Sequence, residues 1–392
     1  MYINQFTLEY IFILISLGIL LIIPRYAKLF WNIDTTISLE KSKSRIKSID
    51  AIKGVSIAAV ILIHTCYLLL YTNSTFEIIT LNFINNISRF AIPVFLFTSG
   101  LLLKPFIWEK KYIFKFYWDK FIRIGIPYIL VNIILWQIGY NSSAPLWELI
   151  LTGGIVVPFY FVPILFQLYL LYPLLDYIRK INPKYLLLGS LIISISSFFI
   201  PATWYLYNLP LFTQYLIFFV YGMLRQDILN KKISNVWVEL ILIYLFLQII
   251  LIAFILSNSI DTNILIFLSF YNFQPILGFG FIFMFIKYIK SNKFGSSFIQ
   301  NIFDPIGKIS LWIFLIHFPI QQFLLNNIIE FNLSLSIKLI HNFISTLGLS
   351  IFIGFIMSKI YDIPKLIMKG KVKEQTHQLG FRRFRGKFGR FR

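Results

Sequence analysis

The chain has 392 residues, of which 58% are hydrophobic and 13% charged, with a mean hydropathy of +0.77. Soluble domains are about 45–50% apolar and about 25% charged, so the composition excludes a soluble enzyme and indicates an integral membrane protein. The net charge of +20 is then a feature of membrane topology rather than of nucleic-acid binding. One cysteine, Cys66, and four histidines without metal-ligand spacing exclude an internal disulfide and predict no metal site.

Apolar stretches long enough for a membrane-crossing helix, about 17–25 residues, recur along the whole chain. They predict an all-α fold, a polytopic transmembrane helical bundle of eleven spans, with a core of ten preceded by an N-terminal helix. In chain order the spans lie near 6–24, 52–72, 90–104, 124–140, 157–178, 185–200, 208–225, 236–257, 264–286, 307–328 and 337–360. The first stretch has no preceding Lys or Arg and no small-residue cleavage site, which predicts an uncleaved signal anchor.

Connections rich in Lys and Arg alternate along the chain with connections that contain neither residue. Lys and Arg are frequent in 25–47, 104–123, 179–184, 225–235 and 287–308 and in the C-terminal tail. The connections 72–88, 141–154, 201–207, 258–263 and 329–336 contain none, and only Arg89 and Lys338 lie near the predicted outer side. Because cytoplasmic loops hold the excess of Lys and Arg, we expect a multi-pass protein of the plasma membrane with its N-terminus outside and its C-terminus inside.

Three segments are predicted. Residues 1–47 form the signal-anchor helix and a cytoplasmic linker, 48–362 the transmembrane domain, and 363–392 a basic cytoplasmic tail that we expect to be disordered. From Lys365 onward the tail holds ten Lys and Arg and one acid. Anionic lipid headgroups, at about 1 kcal/mol per cation, account for such a tail; binding of RNA or of a partner protein is the alternative.

Polar residues inside the apolar stretches mark either contacts between helices or a functional site. His64 follows Lys53 by eleven residues, which places it about 16 Å further along one face of a helix that also carries Asp50. By the same rise, the strongest polar groups of five spans share one level: His64, Gln167, Gln214, Gln274 and His317. This agreement predicts a polar cavity at mid-membrane.

Cations at the cytoplasmic ends form a second pattern. Lys120 and Arg123 lie three positions apart, on one helix face, and Lys53 opens the helix of His64. They are consistent with ordinary anchoring at the inner membrane surface, or with a clamp for a polyphosphorylated ligand. Charge alone does not decide between the two.

Four local patterns resemble the integral-membrane acyltransferases of the acyltransferase type 3 family. They are Ser48-Ile-Asp-Ala-Ile-Lys-Gly54 with His64, Ser88-Arg-Phe-Ala-Ile-Pro-Val-Phe-Leu-Phe-Thr-Ser-Gly100, Lys120-Phe-Ile-Arg123, and Gly307-Lys-Ile-Ser-Leu-Trp-Ile-Phe-Leu-Ile-His-Phe-Pro319. The resemblance covers about 50–360, so it makes 48–362 an acyltransferase domain. Lys53 and Lys120 depart from it, since arginine is the commoner residue at both positions in the family.

The resemblance implies transfer of an acyl group, usually acetyl, from cytoplasmic acyl-CoA to a hydroxyl of a surface polysaccharide or lipid-linked sugar. It implies His64 as general base or transient acyl carrier, with Asp50 and with His317, which would bind or polarise the acyl carbonyl, as the other catalytic residues. Acetyl-CoA would then be held by Lys53, Lys120 and Arg123. The substrate path would be shaped by Arg89, Ser99 and Gln167.

Two other functions fit the same polar cavity. A non-catalytic exporter or flippase of a polysaccharide or lipid-linked sugar would use it for passage, although no Asp or Glu lies deep in a predicted span, as coupled transporters usually require. A membrane-bound O-acyltransferase of another fold ranks last, because the chain lacks an intramembrane Asn/His pair at the expected separation.

Overall fold

The computed structural model describes residues 5–31, 47–70, 75–141, 144–197, 211–224, 235–257, 274–291, 297–329 and 334–388. Within these ranges the secondary structure is helical and no strand occurs. The predicted all-α class is therefore confirmed for this part of the chain. The linker 32–46, the predicted connection 258–263 and the first part of the predicted span 264–286 lie outside it.

Sixteen α-helices follow one another in the described ranges. They are α1 (Gln5–Ile22), α2 (Pro24–Trp31), α3 (Lys47–Leu69), α4 (Thr75–Ser88), α5 (Ala91–Leu101), α6 (Lys110–Lys120), α7 (Ile126–Gln137), α8 (Leu146–Thr152), α9 (Phe161–Ile181), α10 (Pro183–Ser196), α11 (Leu216–Leu224), α12 (Val236–Ser257), α13 (Gln274–Ser291), α14 (Ser297–Lys308), α15 (Ser310–Ile329) and α16 (Leu335–Phe388). A π-helical turn, Phe121–Gly125, joins α6 to α7.

Four of the described helical stretches are long and apolar enough to cross a membrane: Ser48–Leu69, Phe76–Leu101, Val157–Ile181 and Leu335–Asp362. The number rises to six when two sharply bent pairs are each counted as one span, α1 with α2 at 85° and α14 with α15 at 81°. Four shorter apolar helices lie among them. The protein is thus a multi-helix membrane protein, while the total of eleven spans and the orientation of the termini stay predictions.

The connection 72–88, predicted to be an outer loop, is largely helical. It contains α4, which forms one continuous span with α5 over Phe76–Leu101. The asparagines that interrupt the apolar pattern here are buried between helices: the Asn85 side-chain amide donates to the carbonyl of Ile63 in α3 at 2.9 Å. Their side chains hydrogen-bond to neighbouring helices, and they do not end the helix that carries them.

The backbone of α16 continues as helix into the basic tail, as far as Phe388. The composition of that tail predicts disorder, whereas extending an existing helix requires no new nucleus and Lys, Arg and Gln have high helix propensity. The separation of a tail at residue 363 stays a prediction.

Helix α3 lies at the centre of the bundle, in contact with α4, α5, α14, α15 and α16. Glycine allows the closest of these contacts. A Cβ atom on Gly307 of α14 would lie 1.7 Å from the carbonyl oxygen of Asp50, and one on Gly54 of α3 would lie 2.2 Å from the carbonyl oxygen of Phe303. The two backbones therefore touch, which fixes the depth at which the rest of α3 meets its neighbours.

A buried ion pair fastens the segment that leads into α6. Asp176 and Arg179, both on α9 and almost fully buried, are hydrogen-bonded to each other. The other oxygen of Asp176 accepts the backbone N–H of Phe106 at 2.9 Å, and Lys180 donates to the carbonyl of Phe106 at 3.0 Å. This network holds Phe106, in the middle of the loop 102–109, against α9.

Candidate active site

Two imidazole rings meet at the interface of α3 and α15. The ring centroids of His64 and His317 lie 5.4 Å apart, with the ring planes at 42°. His317 is fully buried, whereas His64 is half-buried and rests edge-on against Phe318 at 5.3 Å. The structure thus brings together two of the residues that the sequence places at one membrane level.

The hydrogen bonding of His317 shows which of its two ring nitrogens carries the proton. Nδ1 lies 2.7 Å from the carbonyl oxygen of Phe314, and because a carbonyl can only accept, Nδ1 carries the proton. Nε2 is then the lone-pair nitrogen, and no described group hydrogen-bonds to it although it is buried. A neutral His317 therefore presents a hydrogen-bond acceptor towards its surroundings at Nε2.

Gln321 fixes the two histidine helices relative to each other. It lies one turn after His317, and its side-chain amide donates to the carbonyl of Ile61 at 3.1 Å and to the hydroxyl of Thr65. Asn342 of α16 in turn donates to the backbone carbonyl of Gln321 at 3.3 Å. These bonds join three helices next to His64, and so they limit the sliding of one ring past the other.

Arg89 lies beside the histidine pair rather than at the outer end of a span. Its Nε donates to the side-chain oxygen of Asn85 at 2.8 Å, and Asn85 binds the carbonyl of the residue before His64. The half-buried guanidinium is close enough for its charge to act on the rings of both His64 and Tyr244. Its predicted place near the outer surface is therefore wrong, because the span begins at Phe76 and Arg89 is in its middle.

A buried polar cluster between α4 and α12 continues from Arg89. The Asn86 side-chain amide donates to Gln248 at a long 3.5 Å. The Tyr244 hydroxyl, Asn86 Oδ1 and Gln248 Nε2 have no hydrogen-bond partner in the described part of the chain, although all three residues are buried. Sequence reasoning missed this cluster; the one available signal is the spacing of Tyr244 and Gln248, one helical turn apart.

The three predicted phosphate-binding cations come together at the other end of α3. Burial, together with the nearby charges of Arg123 and Lys53, lowers the pKa of Lys120 to about 8. Lys120 Nζ lies 4.1 Å from the ring centroid of Tyr169, in a cation–π contact. Arg123 is exposed and Lys53 half-buried, so this cation group is open to a ligand.

Two of the three cations lie at the π-helical turn. Lys120 is the last residue of α6 and Arg123 lies within the turn Phe121–Gly125. Single π turns inside helices are common at functional sites, and here the hydroxyl of Tyr361 donates to the carbonyl of Ile122 within the turn. The sequence shows the two cations but carries no clear sign of the π turn.

Three other predicted site residues lie away from the histidine pair. Ser99 donates to the Phe95 carbonyl at 2.7 Å and interacts with the hydroxyl of Tyr169, so it belongs to the cation group. Gln167 accepts the backbone N–H of Phe212 at 3.0 Å and holds the turn before α11. Asp50 precedes His64 by 14 residues, roughly 21 Å along α3, which is too far for contact.

The site therefore has two polar ends on one helix. Lys53 at the cationic end and His64 at the histidine end lie on the same face of α3, about 16 Å apart by helix rise. Within the described ranges, no three His, Cys, Asp or Glu side chains lie close enough to share a metal ion. The arrangement suits a ligand with negative charge at one end and a reactive uncharged group at the other.

Residues 46–359 match the model of the acyltransferase type 3 family, described as an acyltransferase domain. The chain belongs to the acyltransferase type 3 family. The match covers about four-fifths of the sequence and includes both histidines and all three cations of the site. Searches of curated proteins and of solved structures gave no match. The resemblance seen in the four sequence patterns is thus confirmed, and the protein is a membrane acyltransferase.

Proposed function

We propose that the protein transfers an acyl group, acetyl in the simplest case, from cytoplasmic acyl-CoA to a hydroxyl of a cell-surface polysaccharide or lipid-linked glycan in the plasma membrane. The observation that supports this most is the pairing of His64 with His317 at one end of α3, with three cations at the other end. An exporter has no evident use for this arrangement.

The cationic end suits the phosphates of CoA. Arg123 can make two parallel hydrogen bonds to one phosphate, while Lys53 and Lys120 act as point charges. From there the extended pantetheine arm is long enough to follow α3 as far as His64. The thioester would then lie among the aromatic and imidazole rings of the histidine end.

His64 is suited to act as general base. A neutral imidazole, with an ordinary pKa of about 6.5, can take the proton of the acceptor hydroxyl as its oxygen attacks the thioester carbonyl. A carbon–oxygen bond forms and the carbon–sulfur bond breaks. The CoA thiolate leaves and takes up the proton from the imidazolium, which restores the neutral ring.

His317 fits a supporting role that differs from the expected one. Polarising the acyl carbonyl requires a hydrogen-bond donor, but the proton on Nδ1 is engaged by Phe314 and Nε2 can only accept while the ring is neutral. We therefore assign Nε2 to accept a hydrogen bond from His64 or from the acceptor hydroxyl. In either case it would orient the group that loses its proton.

Labelled acetyl-CoA tests the proposal. Membranes that contain the protein should release CoA and transfer label to the surface glycan, and mass spectrometry should show an acylated glycan that is missing when the protein is absent. Unlabelled glycan that accumulates inside cells lacking the protein, with no change in its acylation, would instead support the exporter.

A further inference from the structure

Helix α6 lies on the surface of the bundle and buries none of its residues completely. Its outer face carries Lys111, Phe114, Lys115 and Trp118, all exposed. At about 100° per residue these four positions fall within an arc of roughly 100°. Phe114 and Trp118 therefore place two large exposed apolar side chains side by side on this face.

The aromatic and basic residues of this face are arranged as two adjacent pairs. The rings of Phe114 and Trp118 stack with their centroids 5.8 Å apart, and Lys111 and Lys115 form the same one-turn spacing beside them. Asp119 and Glu109, the nearest acids, lie outside the arc. Exposed Trp next to Lys is typical of the headgroup level of a membrane, where the ring is half in lipid and the ammonium reaches phosphate.

The inner face of the same helix holds the cation group. Phe116 stacks on Tyr172 of α9 with centroids 5.4 Å apart, and Tyr117 donates to the carbonyl of Leu170 at 3.3 Å. Lys120, at the end of this face, lies above Tyr169. Because the inner and outer faces belong to one short helix, a ligand that holds the outer face also restrains the position of Lys120.

We propose that the face formed by Lys111, Phe114, Lys115 and Trp118 is a docking surface for anionic lipid headgroups, and that this contact holds Lys120 in position at the cation group. Charge complementarity identifies the occupant: the face is cationic, and the cytoplasmic leaflet carries anionic lipid. The lipid contact does not depend on the proposed function, whereas the effect of that contact on acyl-CoA binding rests on it.

The test uses the full-length protein in nanodiscs of phosphatidylcholine with or without phosphatidylglycerol. Native mass spectrometry counts the phosphatidylglycerol molecules retained by the wild type, by a Lys111→Gln/Lys115→Gln variant and by a control, Lys28→Gln/Lys184→Gln. The control removes the same charge from two exposed lysines outside α6. Two cations at about 1 kcal/mol each correspond to roughly thirtyfold weaker retention at this face.

The expected result is loss of retained phosphatidylglycerol in the α6 variant and not in the control. In the same nanodiscs, the KM for acyl-CoA should rise in the α6 variant to its value in pure phosphatidylcholine, with kcat unchanged. Equal retention in the wild type and the α6 variant would overturn the docking surface. Loss of lipid without a change in KM would overturn its action on Lys120. Wild-type protein that turns over no acyl-CoA contradicts the proposed function alone, since lipid retention is measured without turnover.

Discussion

His64 and His317 lie with their ring centroids 5.4 Å apart on two helices that are far apart in sequence. The contact depends on the depth at which α3 and α15 meet. That depth is set by Gln321 on one side of the rings and by the glycine contacts between α3 and α14 on the other. Chemistry at the histidine end therefore depends on residues that do not touch a substrate.

Replacement of Gln321 by Met, which has a similar volume, should impair catalysis more than stability. The variant loses the bonds to Ile61 and Thr65, and bonds of this kind inside membranes are worth about 0.6 kcal/mol each on average. We expect a small fall in the melting temperature in detergent and a several-fold fall in kcat for acyl transfer. Gln322→Met, one residue further on, is the matched control and should retain both; equal effects in the two variants would contradict the role of Gln321.

The affinity for acyl-CoA should weaken as the pH rises above 8. Burial lowers the pKa of Lys120 to about 8, so the lysine is charged below that pH and loses its proton as the pH passes through it. Binding of phosphate should therefore be strongest below pH 8, and the KM should rise above it. Lys120→Arg keeps its charge throughout this range, so its KM should stay flat; a wild-type KM that is equally flat from pH 7 to 9.5 would remove Lys120 from the donor site.

Loss of the buried carboxylate at Asp176 should destabilise the protein. Asp176→Asn leaves Arg179 buried without its counter-charge and weakens the anchor of Phe106. Breaking a buried pair in this way costs about 3–5 kcal/mol, which should appear as a clear fall in the melting temperature and in the yield of folded protein. Glu109→Gln, which alters an exposed acid in the following segment, should leave both unchanged.

A methyl group at Gly307 should separate α14 from α3. The added Cβ would lie 1.7 Å from the carbonyl oxygen of Asp50, so one backbone must move. We expect Gly307→Ala to be poorly folded or inactive. Gly348→Ala adds the same methyl group on α16 where no atom lies within 4 Å, and should fold like the wild type. A normal melting temperature and normal activity for Gly307→Ala would show that this close contact is not needed.

The general character of the site follows from sequence because it depends on helix rise along one chain segment. Lys53 and His64 share α3, so their separation and common face can be calculated before any packing is known. The membrane class likewise follows from composition, which no tertiary contact alters. These are properties of single helices.

The remaining features depend on which helices are neighbours, and one sequence does not contain that information. The asparagines of α4 are typical of a loop, so the sequence places Arg89 near the outer surface, whereas Asn85 binds both α3 and Arg89 inside a span. Asp176 lies close in sequence to Arg179, but its bond to Phe106 joins segments 70 residues apart. The resemblance and the shared helix face both point to Asp50 as a catalytic residue, but its position along α3 separates it from His64 by roughly 21 Å.

Acyl transfer by the His64→Ala variant tests the central claim most directly. Membranes with equal amounts of wild type, His64→Ala and the control His341→Ala, an exposed histidine, would be supplied with labelled acetyl-CoA. General-base catalysis is worth about 10²–10⁴-fold, so label in the surface glycan should fall by at least a hundredfold in His64→Ala and stay normal in His341→Ala. Full transfer of label by normally folded His64→Ala protein would contradict the account.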